Sequence, residues 1–397
     1  MKSQFRGFLF EAKQLAGLLA AAATVVVFLY MGVGAVAQSK STLSALPPTP
    51  QAPKDNPTTP AKVALGRLLF WDPLLSGPQD VACASCHHPQ NGYAEDRDLS
   101  LGVTGIGLGK SRHQAPGSTI PIVKRNSPTV VNIAFSGSDE SGRYDPATAP
   151  MFWDMRVKSL EKQALEPLKA LEEMRENTYP EGDEAVASVV AKLQANAEYR
   201  SLFAGAFGSA QPVSAENLGR AIAAFERTLL ANNSPFDRYM RGDRSAMTEE
   251  QVSGMQRFER VGCIKCHNGP MFSDYKLHVM GVPDNPALPA SDDGAEKTYA
   301  FRTASLRNLT FTAPYEHNGM FRTLSDVVGF YEDARSGRSR NPNVSSEKLD
   351  PLLRELGDFD EEDVDLVEFL RALSDDSFDR TIPERVPSGL PVGGKIQ

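Results

Sequence analysis

The chain has little of what usually builds metal and redox sites: four cysteines, six histidines and two tryptophans in 397 residues. Positive charge is also in deficit, with 42 Lys and Arg against 50 Asp and Glu, a formal net charge of -8. That balance argues against a general nucleic-acid binder, although a total says nothing about local patches where a partner docks. Hydrophobic content of 41% and charged content of 23% are ordinary for a globular protein. The length admits two or three domains, each able to bury a core.

The few cysteines fall in two copies of one pattern, Cys83-Ala84-Ser85-Cys86-His87 and Cys263-Ile264-Lys265-Cys266-His267. Together these use all four, so none is left for a structural disulfide. C-x-x-C-H is the attachment pattern of c-type haem. Cysteines at i and i+3 lie on one side of a helical turn, where both can bond the two vinyl groups of one porphyrin. The following histidine then offers its imidazole to the iron. A disulfide pair, a zinc site or a thioredoxin-like motif would leave that histidine unexplained. Two covalently bound haem c groups are the expectation, with His87 and His267 as iron ligands.

The one long apolar run, 15–37, is uncharged and follows Lys2, Arg6 and Lys13. It is long enough to cross a bilayer, yet it ends in Ala35-Val36-Ala37, an A-x-A-like cleavage site. Residues 1–37 are thus a signal peptide or a membrane anchor. Under either reading the folded part is exported, and a periplasmic location follows. Residues 38–60 are rich in Pro, Ser and Thr and read as an extended linker without a packed core. A first folded unit is expected over 61–243 and a second over 244–381, with a disordered tail at 382–397. Helices are expected over 184–207, over 214–230 with Ser214 as N-cap, after Thr248, and over 324–331, 349–359 and 361–373. The pattern 159–174 is helical but interrupted at Pro167, and 99–121 is a glycine-rich loop. Because helix, haem motif and helix occur twice, the expected fold is mostly α: two class I cytochrome c-like haem domains with few short strands.

Two haems permit a passive carrier or an enzyme with one open iron, and residues distant from the motifs must decide. Phe70-Trp71-Asp72-Pro73-Leu74-Leu75-Ser76, Arg125-Asn126-Ser127-Pro128-Thr129, Phe152-Trp153-Asp154, Cys266-His267-Asn268-Gly269-Pro270-Met271-Phe272-Ser273-Asp274, Leu306-Arg307-Asn308 and Thr312-Ala313-Pro314-Tyr315-Glu316-His317-Asn318-Gly319 run in order along the chain. In these segments it resembles the bacterial dihaem cytochrome c peroxidases and their MauG-type relatives. The resemblance covers roughly 61–379. It implies that hydrogen peroxide reacts at the first haem, with Gln163, Pro167 and Glu173 on the peroxide side and Glu173 as acid and base. On its own, Glu172-Glu173 reads as a solvated helix face. The resemblance also implies Trp153 as the electron relay between the haems. Calcium is implied too, held by Asn126 and the carbonyls of Thr312 and Pro314; oxygen donors suit that hard cation.

Three departures from the ordinary peroxidases matter. Where those carry a histidine that caps the first haem, Ser100-Leu101-Gly102-Val103 places a valine, which cannot bind iron. His113 is the substitute candidate in that loop, and His88 is expected to be an exposed neighbour of the motif. Where a methionine closes the second haem, the count lands on Tyr331, as in MauG-type enzymes; a core tyrosine, or ligation by Met280 or Met320, are the alternatives. His278 and His317 read as packing residues. Finally, Val261 stands where the enzyme that matures methylamine dehydrogenase has a surface tryptophan. The expected activity is therefore a MauG-like peroxide-dependent oxidoreductase that reaches a high-valent two-haem state and oxidises a protein or small-molecule donor. The alternatives are a cytochrome c peroxidase fed by a small cytochrome c or cupredoxin, and a membrane-tethered electron-transfer cytochrome.

Overall fold

Our computed structural model describes residues 42–208, 210–360 and 362–396. The apolar run 15–37, with both readings of it, lies outside the described residues. Among those described, no helix is long and apolar enough to cross a membrane.

The described chain is mostly helical, and the helices start where local chemistry says they should. Helix α1 (Pro60–Trp71) has Pro60 in its first turn and Thr59 as N-cap, whose hydroxyl accepts from the Lys62 amide. A four-residue turn, α2 (Cys83–Cys86), carries the first C-x-x-C. The expected helix over 159–174 is instead α3 (Leu160–Gln163), α4 (Glu166–Lys169) and a single π-helical turn, Leu171–Arg175. Pro167 in the first turn of α4 accounts for the break, since it cannot continue α3. The run 184–207 is two helices, α5 (Gly182–Ala195) and α6 (Ala197–Phe207). Asn196 divides them: its side chain accepts from the Glu198 and Tyr199 amides and so caps the second. Ser214 caps α7 (Ala215–Glu226) and Thr248 caps α9 (Glu249–Arg260), with the short α8 (Pro235–Met240) between. Helices α10 (Leu324–Arg335) and α11 (Val364–Arg371) follow, while 349–359 forms only one 3-10 turn, Pro351–Glu355. Among the described residues, six strands of two or three residues make three separate antiparallel pairs.

Two helix crossings organise the packing. Helix α1, which leads to the first cysteine pair, lies across α7, and α9, which leads to the second, lies across α11. Each crossing requires a glycine. A Cβ on Gly66 would sit 2.0 Å from the Ala221 carbonyl oxygen, and one on Gly254 would sit 1.9 Å from that of Asp365. Around the first crossing Leu65, Leu69, Phe203, Leu218 and Ile222 form one apolar cluster. Around the second, Phe236, Phe258, Phe272, Phe369 and Leu370 form another. Burial of such side chains, each worth roughly 1.5–3 kcal/mol, holds the helices that present the cysteines.

Two segments expected to lie outside any core are packed. The tail is not disordered. Val386 is buried beside Trp71 and Ala84, and the Gly393 amide donates to the Trp71 carbonyl at 2.8 Å. Gly394, at φ +75°, pairs with Val81, and a Cβ there would lie 2.0 Å from the Asp80 carbonyl oxygen. The tail's glycines allow one backbone to lie directly on another, which leaves no side-chain period to read. The Pro-rich stretch is extended but also anchored: Leu43 and Leu46 are buried, and the Leu46 amide donates to Asp237 Oδ1 at 2.9 Å.

Candidate active site

At the second motif, Gly262, two residues beyond the end of α9 and at φ +92°, leads the chain into the turn Cys263–Lys265. The His267 amide closes this turn on the Cys263 carbonyl at 2.9 Å. His267 Nδ1 lies 3.0 Å from the Phe272 carbonyl oxygen, which can only accept. The proton is therefore on Nδ1, and Nε2 keeps its lone pair. That atom faces Tyr331 Oη at 3.3 Å. Both residues line a cavity of about 250 Å³ that also takes in Cys263, Cys266, Met280 and Leu370. Burial holds the His267 imidazole neutral by lowering its pKa, and lifts the Cys263 thiol to about 12. Burial raises the Tyr331 phenol well above its ordinary range, and the nearby Glu316 carboxylate adds to this. A phenolate there needs a cation beside it. A neutral imidazole and a phenol that face each other at 3.3 Å on the wall of an apolar cavity, with two free thiols beside them, form a donor set that fits a covalently held haem.

The first motif repeats the arrangement on the histidine side. His87 Nδ1 lies 3.1 Å from the Tyr93 carbonyl, burial lowers its pKa, and Nε2 is again left as the donor atom. An aromatic residue five or six positions on supplies the anchoring carbonyl in both motifs, a signal present in the sequence but not used. Both thiols, Cys83 and Cys86, are pushed up by burial. His88 is not exposed as expected; it is buried edge-on against Trp71, ring centroids 5.4 Å apart.

Val103 is buried with Val81 and Ile120 and packs against the half-buried Leu171, so the position expected to carry a capping histidine holds an apolar side chain. Gly102, at φ +49°, presses on the π-helical turn so closely that a Cβ would lie 1.8 Å from the Glu172 carbonyl oxygen. Glu173 belongs to that turn. Desolvation raises its carboxyl to about 7, against the pull of the Arg156 guanidinium. Gln163 ends α3, and Pro167 lies in α4, which packs on the same turn. His113 does not substitute for the missing histidine: it is exposed, with its Nδ1 3.2 Å from the Ser111 carbonyl. Its neighbour Arg112 is the residue turned inward.

Trp153 Nε1 donates to the Asn126 carbonyl at 3.0 Å, and the Arg302 amide donates to the Trp153 carbonyl at 2.7 Å. Trp153, Asn126, Thr312 and Pro314 all line the cavity of the second motif. The Asn126 side chain donates Nδ2 to the Arg97 carbonyl at 2.7 Å, which leaves its oxygen as the atom available to a cation. Beside them Arg125 joins Asp154 and Asp292 in a largely buried network, with Nε 2.5 Å from Asp292 Oδ2 and Nη1 2.6 Å from Asp154 Oδ2. That pairing holds Asp292 at about 2 despite its burial. The sequence reading gave these acids no role. His317 stacks on Phe301 at 3.6 Å and burial takes it down to about 3, so it is a neutral packing residue. His278 is instead held between Asp274 and Asp350; the hydrogen bond to Asp274, with the Cys266 sulfur and Asp350 adding to it, raises its imidazole well above the ordinary range. Val261 is buried in the second core cluster.

A sequence-family model described as di-haem cytochrome c peroxidase matches residues 60–245. Cytochrome-c peroxidase IdrP1 of Pseudomonas sp. (strain SCT) is 35% identical over 368 residues, 84% of this chain and 85% of that protein. The chain belongs to the di-haem cytochrome c peroxidase family. Within that family it is also similar to the methylamine utilization protein MauG of Methylorubrum extorquens, at 33% identity over 84% of this chain and 83% of that one. A crystal structure of a MauG-like protein associated with microbial copper homeostasis superposes with a TM-score of 0.66 at 27% identity, covering 84% of this chain and 95% of that chain. The chain is thus a haem peroxidase-type oxidoreductase with two haem cofactors.

Proposed function

We propose that the chain is an exported, MauG-like member of the family that uses hydrogen peroxide to oxidise a protein or small-molecule donor. The observation that carries this reading is Tyr331 Oη opposed to His267 Nε2 at 3.3 Å, where a methionine would mark an ordinary peroxidase. The first haem would be held by Cys83, Cys86 and His87, the second by Cys263, Cys266, His267 and Tyr331; together they supply the two-electron redox chemistry. Val103, where a histidine would cap the first haem of an ordinary peroxidase, lies in an apolar cluster and cannot bind iron, which supports an open first site. Glu173, balanced near neutrality, would take the proton from one peroxide oxygen and return it to the other, the proton transfer that two-electron cleavage of the O–O bond requires. Gln163 would hold the peroxide or a water by hydrogen bond, and Pro167 would shape the pocket wall. Trp153, buried and hydrogen-bonded on both its indole and its carbonyl, is held rigidly enough to relay an electron. Asn126, Thr312 and Pro314 would bind calcium at the same cavity. The repeated glycine crossings support two haem domains, over 61–243 and 244–381.

A second reading, a cytochrome c peroxidase drawing electrons from a small cytochrome c or cupredoxin, is favoured by the relatives that carry that name. Peroxide added to the fully oxidised holoprotein separates the two. Rapid spectral change at both haems is expected. No change until one haem is reduced would overturn the MauG-like reading and leave the peroxidase.

A further inference from the structure

Arg112 is a charged side chain with 1% exposure, in a loop that sequence alone marks only as glycine-rich. Its guanidinium joins three separate pieces of chain. Nη1 reaches the Ser85 carbonyl at 3.1 Å and Cys86 Sγ at 3.1 Å, both in α2. The same nitrogen pairs with Glu95 Oε1 at 2.5 Å, and Nη2 donates to the Gly102 carbonyl at 2.7 Å. Gly102 is the residue pressed against the turn that carries Glu173. The fit depends on Gly105, whose added Cβ would lie 2.3 Å from Arg112 Nε. The ion pair is not two-pronged: Arg112 Nε and Glu95 Oε2 are both buried without a hydrogen-bond partner. Burying two charges without satisfying them fully is a poor way to gain stability, and an apolar pair of the same volume would serve the core at least as well. The pair is therefore better explained by what it holds in place.

We propose that Arg112, fixed by Glu95, is a positioning residue that ties the first cysteine turn to the Gly102 loop and thereby sets Glu173 over the first haem site. The inference rests on the reading that Cys83–His87 holds a haem and that Glu173 moves the peroxide proton. It adds an electrostatic consequence: the guanidinium lies beside a haem-attaching sulfur, with a carboxylate partner that offsets its charge.

Variants of the holoprotein test this, with the midpoint potential of each haem read by spectroelectrochemistry and the peroxide reaction by stopped flow. Glu95→Gln leaves the arginine uncompensated and should raise the first haem's potential while leaving the second unchanged. Glu95→Gln combined with Arg112→Gln should return it towards wild type. Arg112→Lys keeps the charge but loses the fork, so the potential should hold while the peroxide reaction slows by about ten- to a hundredfold and its pH profile shifts. Should Arg112→Lys fail to take up haem, the Glu95→Gln arm still decides. An unmoved first-haem potential in Glu95→Gln, or wild-type rate and pH profile in Arg112→Lys, would overturn the proposal. If the wild-type first haem does not react with peroxide at all, the functional reading fails instead, and the potentials still report on the pair.

Discussion

Replacing Glu173 with glutamine should change both the pH–rate profile and the pH dependence of stability. Burial lifts this carboxyl from its ordinary 4.5 to about 7, with the Arg156 guanidinium opposing the rise. Only the ionised form can accept the peroxide proton. The rate of the peroxide reaction should therefore climb about tenfold per pH unit below 7 and level off above it. Glu173→Gln should remove that limb and lower the plateau by roughly 10²–10⁴-fold. The stability effect has the opposite slope. Between 4.5 and about 7 the folded chain keeps a proton that the unfolded chain has released, so rising pH costs stability across that window and the full cost is present above it. At ~1.4 kcal/mol per pH unit the rise amounts to at most about 3.5 kcal/mol. Urea unfolding of the holoprotein at pH 5 and pH 8 should show the glutamine variant gaining on wild type by up to that amount at the higher pH. A wild-type rate that is flat from pH 5 to 9, or a variant that keeps the limb, would refute the assignment.

Tyr331→Met should raise the potential of the second haem, because a neutral thioether replaces an anionic donor that favours ferric iron; spectroelectrochemistry would show it, and an unchanged value would count against ligation by Tyr331. Gly254→Ala should destabilise by about 1–3 kcal/mol or more, since its Cβ would lie 1.9 Å from a backbone oxygen of α11. Gly205→Ala, in α6 with nothing within 4 Å, should instead stabilise by about 1 kcal/mol, and thermal unfolding of the two variants would show the contrast. Ending the chain before Thr381 removes Val386, Val392 and Ile396 from the cluster around Trp71. A loss of several kcal/mol is expected, at roughly 1.5–3 kcal/mol for each fully buried side chain, with lower melting temperature and weaker retention of the first haem.

Much of the local structure could be read directly. Thr248 and Ser214 cap the helices they were expected to cap, because a hydroxyl placed three residues before an amide needs nothing distant to form its bond. The paired C-x-x-C-H segments were legible as candidate haem-attachment turns because both cysteines and the histidine fall within five residues. The same reasoning failed where periodicity was the only guide. Over 349–359 apolar spacing suggested a helix, and Pro351 at the start of a single 3-10 turn prevailed. Over 184–207 the period continued through Asn196, which prefers to cap a helix rather than extend one.

The site divides along the same line. Sequence alone determined the two C-x-x-C-H turns, their histidines and the helices that lead into them, since each depends on neighbours a few residues apart. Only the tertiary structure decided that Tyr331 faces His267, that Arg112 rather than His113 turns inward, that Arg125 is clasped by Asp154 and Asp292, and that the glycine-rich tail lies on Asp80 and Trp71. Those contacts join residues far apart in the chain through burial and close backbone approach. Neither leaves a period or a spacing in the sequence, because what fixes them is the shape of the space that the packed helices leave between them.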